Sequence, residues 1–258
     1  MTGMDRDGGR LTRVPAVLTS PHLDDAALSA CAEIAKGGAL VVTVFTAVPP
    51  PDWPPTWWDR LTGESADSRA RQLARRAEDA EAMRLLGARN TYLDQPEQLH
   101  RDGDPDREAI VKALASCYAD ADEVWLPAGI GAHPDHIIAR DAGLEAAALA
   151  GHTEVVLYAD FPYVILYGWP ASVRGTGDRL IDADFWLTDQ LQSTGLDPAA
   201  LEPRALRLSP AQRVLKRQII EAYQTQAPAL GLGGPALAAD PTKLDYELSW
   251  RMAVPEPR

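Results

Sequence analysis

The chain has 258 residues, long enough for one α/β domain with a sizeable core, and 46% of them are hydrophobic, as in ordinary globular proteins. The formal net charge of −12, from 37 acidic and 25 basic residues, argues against nucleic acid as a partner, because neutralising phosphates requires clustered Lys and Arg. Two cysteines cannot form a disulfide framework, and no signal-like segment or bilayer-length apolar run is visible, so we expect a cytoplasmic protein with no membrane partner.

Strand-like and helix-like segments alternate up to residue 160, which is the pattern of a parallel sheet wrapped by helices. Apolar runs predict strands at 14–19, 40–45, 91–94, 123–127 and 154–160. Helical patterns and their stop signals predict helices at 26–36, 65–86, 106–118 and 134–150. The predicted fold class is therefore α/β, with a Rossmann-like, mostly parallel sheet flanked by helices.

The pattern becomes irregular after residue 160. A helix is predicted at 210–224, and the Gly/Pro/Ala-rich stretch 227–241 is typical of a loop. The sequence contains no internal repeat and no linker, so we predict a single domain over 1–258. Within it, 161–258 is a less regular C-terminal part that completes the domain. A homo-oligomer is neither indicated nor excluded.

A Pro-rich segment, 48–59, lies between the second strand and the long helix. Its prolines exclude a helix interior and a central strand, so we predict a loop. Long loops at the carboxyl ends of parallel strands often line ligand sites, and Trp53, Trp57 and Trp58 would be able to stack on a sugar or another flat substrate face. Packing of the same rings onto the core is the alternative.

The first chemical motif is Ser20-Pro21-His22-Leu23-Asp24-Asp25, placed where the first strand ends and the first helix begins. Ligands of open α/β sheets collect at this end of the strands. His22 and Asp25 are three residues apart and would project from one side of a helical turn, whereas Asp24 would point elsewhere. Helix capping by Ser20, Asp24 or Asp25 is the simpler alternative, but it leaves the histidine unexplained.

The second motif is Gly131-Ala132-His133-Pro134-Asp135-His136, which follows a strand and starts another helix. Taken alone, it is also compatible with a surface histidine pair that has no role. Together the motifs hold three of the five histidines, while His100 and His152 are expected at the surface. The sheet can bring both motifs to one cleft, where two imidazoles and one carboxylate would form the ligand set of a catalytic zinc site.

The His-x-Asp-Asp motif followed by the His-x-Asp-His motif resembles the zinc-dependent deacetylases of the PIG-L/LmbE family, which share a Rossmann-like fold. The stretch from Arg75 to Gly87 resembles the long helix of that family, and the likeness covers roughly 14–160 and, more loosely, 216–226. Family members remove N-acetyl groups from glucosamine-containing lipids, thiol cofactors and antibiotic precursors. Leu23, where many members have Pro, leaves the substrate subgroup open.

By position in the motifs, the resemblance implies one zinc ion per chain and three ligands: His22, Asp25 and His136. It also implies that Asp24 is the general base and that His133 stabilises the oxyanion. Arg75 stands in the place of an arginine that contacts substrate in some relatives. Asp135, between the two histidines, is predicted to orient a ligand imidazole, with a plain carboxylate at a helix N-terminus as the alternative.

The predicted function is removal of an N-acyl group, chiefly N-acetyl, from an amino sugar or a sugar-bearing small molecule. An amidase acting on a thiol conjugate or a natural-product intermediate is the alternative. A phosphoesterase would need more bridging carboxylates than the sequence offers, and a non-catalytic metal-binding module would leave Asp24 and His133 without a function. A dinucleotide-dependent oxidoreductase is excluded, because no Gly-x-Gly-x-x-Gly follows the first strand.

Overall fold

The computed structural model describes residues 13–62, 67–175 and 181–255. Its strands are β1 (Val14–Ser20), β2 (Leu40–Phe45), β3 (Arg89–Gln95), β4 (Ala121–Pro127), β5 (Glu154–Tyr158), β6 (Glu202–Arg207) and β7 (Tyr246–Ala253). Its helices are α1 (Asp25–Ser29), α2 (Cys31–Ile34), α3 (Trp57–Thr62), α4 (Ser68–Leu86), α5 (Arg107–Tyr118), α6 (Pro134–Leu149), α7 (Ala171–Arg174), α8 (Ala183–Ser193), α9 (Pro210–Ala222) and α10 (Gly234–Ala239).

A seven-stranded sheet in the order β3-β2-β1-β4-β5-β7-β6 organises the described residues. Strands β1 to β5 are parallel, whereas β7 pairs antiparallel with both β5 and β6. β1 lies between β2 and β4 and is buried from Ala16 onward, as expected for a strand covered on both faces. The prediction of a Rossmann-like, mostly parallel α/β sheet is confirmed.

The helix predicted at 26–36 is two short helices, because the chain leaves helical geometry at Ala30, where φ is −127°. The second of them, α2, has its Ala32 N–H bonded to the carboxylate of Glu247 at 3.1 Å. Glu247 lies on β7, so this support comes from the far end of the chain and is invisible in the local sequence.

The segment 48–59, predicted to be a loop, is one only as far as Thr56, because α3 begins at Trp57. The Thr56 N–H donates to Asp59 Oδ2 at 2.9 Å, and the Asp59 N–H donates to Thr56 Oγ1 at 3.1 Å. This reciprocal pair caps the helix in spite of the prolines that precede it. The loop prediction is therefore wrong for the last three residues of the segment.

The long helix predicted at 65–86 begins at Ser68, and positions 65 and 66 lie outside the described residues. The side chain of Asp67 accepts two backbone N–H groups of the first turn, which fixes this start. The helix ends at Gly87, whose φ of 65° is left-handed. Although α4 has 19 residues, none of the helices in the described ranges is long and apolar enough to cross a membrane.

The C-terminal part adds α7, α8, β6 and β7, which the sequence analysis did not predict. The loop prediction for 227–241 is wrong at Gly234–Ala239, which form α10. β6 is an edge strand with Pro203 near its start and mostly exposed residues, so it has no alternating apolar pattern. β7 contributes buried Leu248 and Trp250 to the core. Because β6 and β7 continue the sheet that β1 to β5 begin, the C-terminal part shares one sheet with the rest of the described chain.

Candidate active site and metal centre

The predicted site residues lie at the carboxyl ends of β1 and β4, which are neighbours in the sheet. His22 lies in the turn after β1, and Asp25 is the first residue of α1. His133 is the N-cap of α6, and His136 lies in its first turn. Parallel strands end at the same edge of a sheet, so both motifs meet there. A cavity of about 110 Å³ is lined by these four side chains and by Asp24.

Three potential metal donors, from His22, Asp25 and His136, lie within 4.8 Å of one another. Asp25 Oδ2 is 3.1 Å from His22 Nδ1 and 3.2 Å from His136 Nε2. Two imidazole nitrogens and one carboxylate oxygen suit zinc or a similar divalent cation and leave coordination positions open for substrate. The donor set therefore fits a catalytic metal.

The charges of this trio also favour a cation. Burial lowers the pKa of His136, but Asp25 and Asp160 outweigh burial and raise that pKa to about 9. Burial also lowers the pKa of His22, yet its bonds to Asp135 and Asp25 raise it well above the usual value. The carboxylates thus attract positive charge to this point. Protons and a divalent cation would compete for it, because imidazoles bind metal only when deprotonated.

Asp160, which follows β5, fixes the orientation of the His136 ring. Its Oδ1 is 2.7 Å from His136 Nδ1, and its Oδ2 accepts the N–H groups of Gly129 at 2.7 Å and Ile130 at 2.8 Å. With the Nδ1 proton assigned to this bond, Nε2 is free to face Asp25. The sequence analysis missed Asp160. The available signal was an acidic residue at the carboxyl end of a third adjacent strand.

Asp160→Asn should weaken metal binding by about 10–100-fold while the protein stays folded. The Asn oxygen can still accept the backbone N–H groups, but its NH₂ group would face His136 Nδ1 and shift the ring proton to Nε2, the nitrogen needed by the metal. Competition with a chelating dye measures the change. Asp189→Asn, at an exposed position of α8, is the matched control. Equal metal affinity in the two variants would contradict the role of Asp160.

Asp135 is fully buried and lies against His22. Its Oδ2 is 3.0 Å from His22 Nε2 and accepts the Gln98 N–H at 2.9 Å, while its Oδ1 accepts from Arg101 at 2.6 Å. Opposite charge at His22 and Arg101 outweighs burial and keeps the pKa of Asp135 low. The predicted role of Asp135, to orient a ligand imidazole, requires this contact with His22.

A second trio, His22, His133 and Asp135, also places its ligand atoms within 4.8 Å of one another. In this trio Asp135 already pairs with Arg101, and His133 Nδ1 already accepts the Asp135 N–H at 3.2 Å. A metal here would compete with Arg101 for the Asp135 carboxylate, whereas no Arg or Lys pairs with Asp25 among the described residues. The trio that contains Asp25 is therefore the better metal site.

Asp24 borders the cavity without acting as a helix cap. It is the N-cap residue of α1, yet its side chain makes no cap hydrogen bond within the described residues. Ser20 Oγ accepts the Ala26 N–H at 3.0 Å instead, and Asp25 Oδ2 accepts the His22 N–H at 2.8 Å. Burial, reinforced by the charge of Asp25, raises the pKa of Asp24 to about 7. Capping thus explains Ser20 but leaves Asp24 able to exchange a proton near neutral pH.

His133 offers a neutral hydrogen-bond donor to the same cavity. Because its Nδ1 accepts the Asp135 N–H, its ring proton is assigned to Nε2. Burial and the neighbouring charges of His22 and His136 lower the pKa of His133 to about 4. The alternative of a surface histidine pair is wrong, because His136 is only 1% exposed.

Trp57 and Trp58 line the cavity, whereas Trp53 is absent from the walls formed by described residues. The two lining rings meet edge to face with centroids 5.5 Å apart, and Trp57 is 61% exposed. Trp53 donates its Nε1–H to the Leu99 carbonyl at 3.3 Å and packs edge-on against His100. Stacking on substrate thus stays a prediction for Trp57 and Trp58, while the packing alternative describes Trp53.

Arg75 is likewise missing from the cavity walls that the structure describes. Its guanidinium is 3% exposed, lies 3.4 Å from Glu97 and 3.8 Å from Asp59, and donates to Thr62 Oγ1 at 3.4 Å. Two carboxylates hold this cation below the protein surface, and its contact with substrate stays a prediction. Glu97 does line the cavity, so Arg75 contacts a residue of the cavity wall.

His100 is buried, contrary to the expectation of a surface position, and His152 is only partly exposed. His100 is 5% exposed, and its ring lies between Glu97, 3.0 Å from Nδ1, and Asp59, 3.9 Å from Nε2. These contacts outweigh burial and raise the pKa of His100 to about 9. His152 is half-buried, with Nε2 2.9 Å from the Tyr118 carbonyl oxygen.

No protein-family model matches the chain. The 2'-N-acetylparomamine deacetylase of Streptomyces fradiae is 30% identical over 173 residues, which cover 60% of this chain and 59% of that protein. The matched stretch therefore spans about three fifths of this relative.

Solved structures of deacetylases are similar in fold over most of this chain. The A40926 pseudoaglycone deacetylase Dbv21 has a TM-score of 0.66 and 26% identity, covering 95% of this chain and 100% of its own. The zinc-inhibited form of teicoplanin deacetylase Orf2 has a TM-score of 0.67 and 23% identity, covering 93% and 98%. These likenesses confirm the fold class and the resemblance to deacetylases that the two motifs predicted.

Proposed function

We propose that this chain, which resembles the PIG-L/LmbE-like deacetylases in fold and in sequence, is a metal-dependent hydrolase of N-acyl amides. The acyl group is acetyl, and the amine belongs to an amino sugar or a sugar-bearing small molecule. The metal is one zinc ion per chain, held by His22, Asp25 and His136. An amidase acting on a thiol conjugate or a natural-product intermediate is the second reading of the same site.

One observation supports this proposal above the others. Asp24 and His133 border the same cavity as the donor trio. Among the described residues, Asp24 caps no helix N–H, and His133 caps α6 through Nδ1, which leaves its Nε2 for another partner. A module that only binds metal would need the trio and would give no task to the Asp24 carboxylate or to Nε2 of His133.

The mechanism assigns a separate task to each side chain. A bound divalent cation would act as a Lewis acid toward the amide carbonyl and would increase the acidity of water in the cavity. Asp24 accepts a proton as water attacks the carbonyl carbon, and it returns that proton to the nitrogen as the C–N bond breaks. His133 donates its Nε2–H to the oxygen that gains negative charge. The products are the carboxylic acid and the free amine.

Supporting residues keep these groups in place. Asp160 and Asp135 orient the two ligand imidazoles, and Phe161 and Tyr163 close part of the wall. A site held this way loses little entropy when substrate binds, because its donors are already positioned. The names of two relatives give 2'-N-acetylparomamine and the pseudoaglycone of the antimicrobial A40926 as the compounds that they deacetylate, which supports the proposed removal of an acetyl group.

The direct test is a screen for release of free amine from N-acetylated compounds, with and without added zinc. N-Acetylglucosamine and N-acetylcysteine represent the sugar and thiol classes, and p-nitrophenyl phosphate represents phosphoesters. We expect zinc-dependent amine release from the sugar and no phosphate release. Phosphate release without amide hydrolysis would reject the proposal.

Trp57→Ala and Trp58→Ala should each raise the KM for an N-acetylated sugar severalfold and change the melting temperature little, because both rings line the cavity. Trp53→Ala is the matched control, since that ring packs on His100 and should affect stability more than KM. Kinetics and thermal melts of the three variants are compared. If all three lose stability with unchanged KM, the aromatic rings serve packing alone.

A further inference from the structure

A second cavity, of about 480 Å³, adjoins the candidate active site. The two cavities share four wall residues, Trp58, Pro162, Tyr163 and Leu230. The Tyr163 ring lies 6.0 Å from the ring of His136, so the boundary between the cavities is close to the candidate metal ligands. Most of the space available to a bound molecule is therefore beside the reacting centre and not at it.

The wall of the second cavity is mostly apolar. Ile165, Leu166 and Trp169 line one side, between the end of β5 and α7. Trp169 is 5% exposed, and its Nε1–H already donates to the Thr242 carbonyl at 3.0 Å, so the indole can offer only apolar surface. Leu166, by contrast, is 63% exposed, which leaves a large apolar side chain uncovered at the wall.

The charged and hydroxyl side chains contributed by Asp240, Thr242 and Lys243 to this wall have hydrogen-bond partners within the protein. Asp240 Oδ1 accepts the Thr242 N–H at 3.2 Å and its Oγ1–H at 2.5 Å, and Lys243 donates to the Gly231 carbonyl at 3.3 Å. Asp240 and Lys243 carry opposite charges, so the wall has no net charge. An uncharged, apolar group would be accepted here at a lower desolvation cost than a polyhydroxylated or cationic one.

We propose that the second cavity binds an apolar, ring-bearing part of the substrate on the amine side of the scissile amide. The substrate is then amphiphilic: its acetylated sugar lies among the imidazoles and carboxylates, and an attached aromatic or alicyclic group lies between Trp58, Leu166 and Trp169. This inference rests on the proposed function. The amine side is assigned because an acetyl group has only two carbons and cannot extend past the reacting centre.

Two substrates that differ only in this group test the inference. N-Acetylglucosamine is compared with its 4-biphenylyl β-glycoside, and free amine is measured for both. The wild-type protein should show kcat/KM at least about tenfold higher for the biphenylyl glycoside, the order expected when an aromatic ring leaves water. Equal kcat/KM for the two substrates would overturn the inference.

Two variants locate the effect. Ala229→Phe should fill the cavity and bring the kcat/KM ratio close to one, whereas Ala238→Phe, at an exposed position of α10, should leave the ratio unchanged. Leu166→Ser, at an exposed position that tolerates polarity, should lower the ratio severalfold even if Ala229→Phe folds poorly. Identical ratios in Leu166→Ser and wild type would overturn the assignment. The assignment would also be overturned if Ala229→Phe lowered kcat/KM for N-octanoylglucosamine but not for the biphenylyl glycoside. The cavity would then hold the acyl group.

A binding measurement separates this inference from the proposed function. 4-Biphenylyl β-glucoside lacks an amide, so calorimetric titration reports the second cavity without turnover. If the glucoside binds to wild type and to Ala238→Phe but not to Ala229→Phe, the result supports binding in the second cavity. This conclusion holds even if no N-acetyl compound is hydrolysed, in which case only the proposed function fails. Amine release from N-acetylglucosamine without binding of the glucoside would reject the cavity and retain the deacetylase.

Discussion

Asp24→Asn should lower kcat for an N-acetylated substrate by about 10²–10⁴-fold and leave metal content near that of the wild type. The amide cannot accept a proton from water, but it preserves the shape of the buried carboxylate. Asp24 caps no helix N–H in the described part of the chain, so the fold should survive the change. Elemental analysis and turnover of the same preparation measure both quantities.

Asp25→Ala is the matched comparison, because it removes the adjacent carboxylate. Asp25 Oδ2 lies between the nitrogens of His22 and His136, so this variant should lose metal as well as turnover. Loss of metal in Asp24→Asn, or retention of both metal and activity in Asp25→Ala, would show that the two carboxylates are wrongly assigned.

His133→Ala should lower kcat by about 10²–10³-fold with metal still bound, the usual effect of removing one donor to a developing oxyanion. Its Nδ1 accepts a single backbone N–H at the start of α6, so only a small loss of stability is expected. His136→Ala should instead abolish metal binding, since that ring completes the donor trio. The account fails for His133 if its variant releases the metal, or if kcat is unchanged at saturating substrate.

The sequence predicted the parallel half of the sheet well, because its strands are short apolar runs bounded by clear helix stops. The strand at 40–45 was placed correctly since every residue of β2 after Leu40 is buried and the run contains no polar alternation. The antiparallel half was missed for the opposite reason. β6 is largely exposed at the sheet edge, and β7 can be identified as a strand only from its pairing with β5 in the folded structure.

In the candidate site, too, residues close in sequence could be grouped from the sequence, whereas residues brought together by strand pairing could not. Each motif contains a pair of residues three positions apart, His22 with Asp25 and His133 with His136. This local spacing was enough to group each pair. Asp160 could not be grouped with them from spacing, because it approaches His136 only through the pairing of β4 with β5.

The burial of Arg75 could not be predicted from the sequence, because the partners of this side chain come from separate segments. Asp59 lies in α3 and Glu97 follows β3, and together they enclose the guanidinium in the folded chain. Sequence position alone shows an arginine on a helix near the site and does not reveal that it is buried.

The C-terminal part, for which the sequence predicted one helix in an otherwise irregular segment, supports the turn from His22 to Asp25. The Tyr223 hydroxyl, just after α9, lies 2.9 Å from the carbonyl oxygen of Leu23 and 2.9 Å from Asp79 Oδ1. Glu247 on β7 is bonded to the N-terminal turn of α2, and buried Lys216 pairs with it at 3.0 Å. Long-range contacts of this kind hold the His22 to Asp25 turn in place and have no local signature.

The central claim is that amide hydrolysis here depends on a metal held by His22, Asp25 and His136. The most direct measurement is the rate of amine release from an N-acetylated sugar by one preparation as isolated, after exhaustive chelation, and after return of one equivalent of zinc. The account predicts that hydrolysis is lost with the metal and restored with it, and that Asp25→Ala cannot be restored at the same zinc concentration. Full hydrolytic activity in protein shown to be metal-free would contradict it.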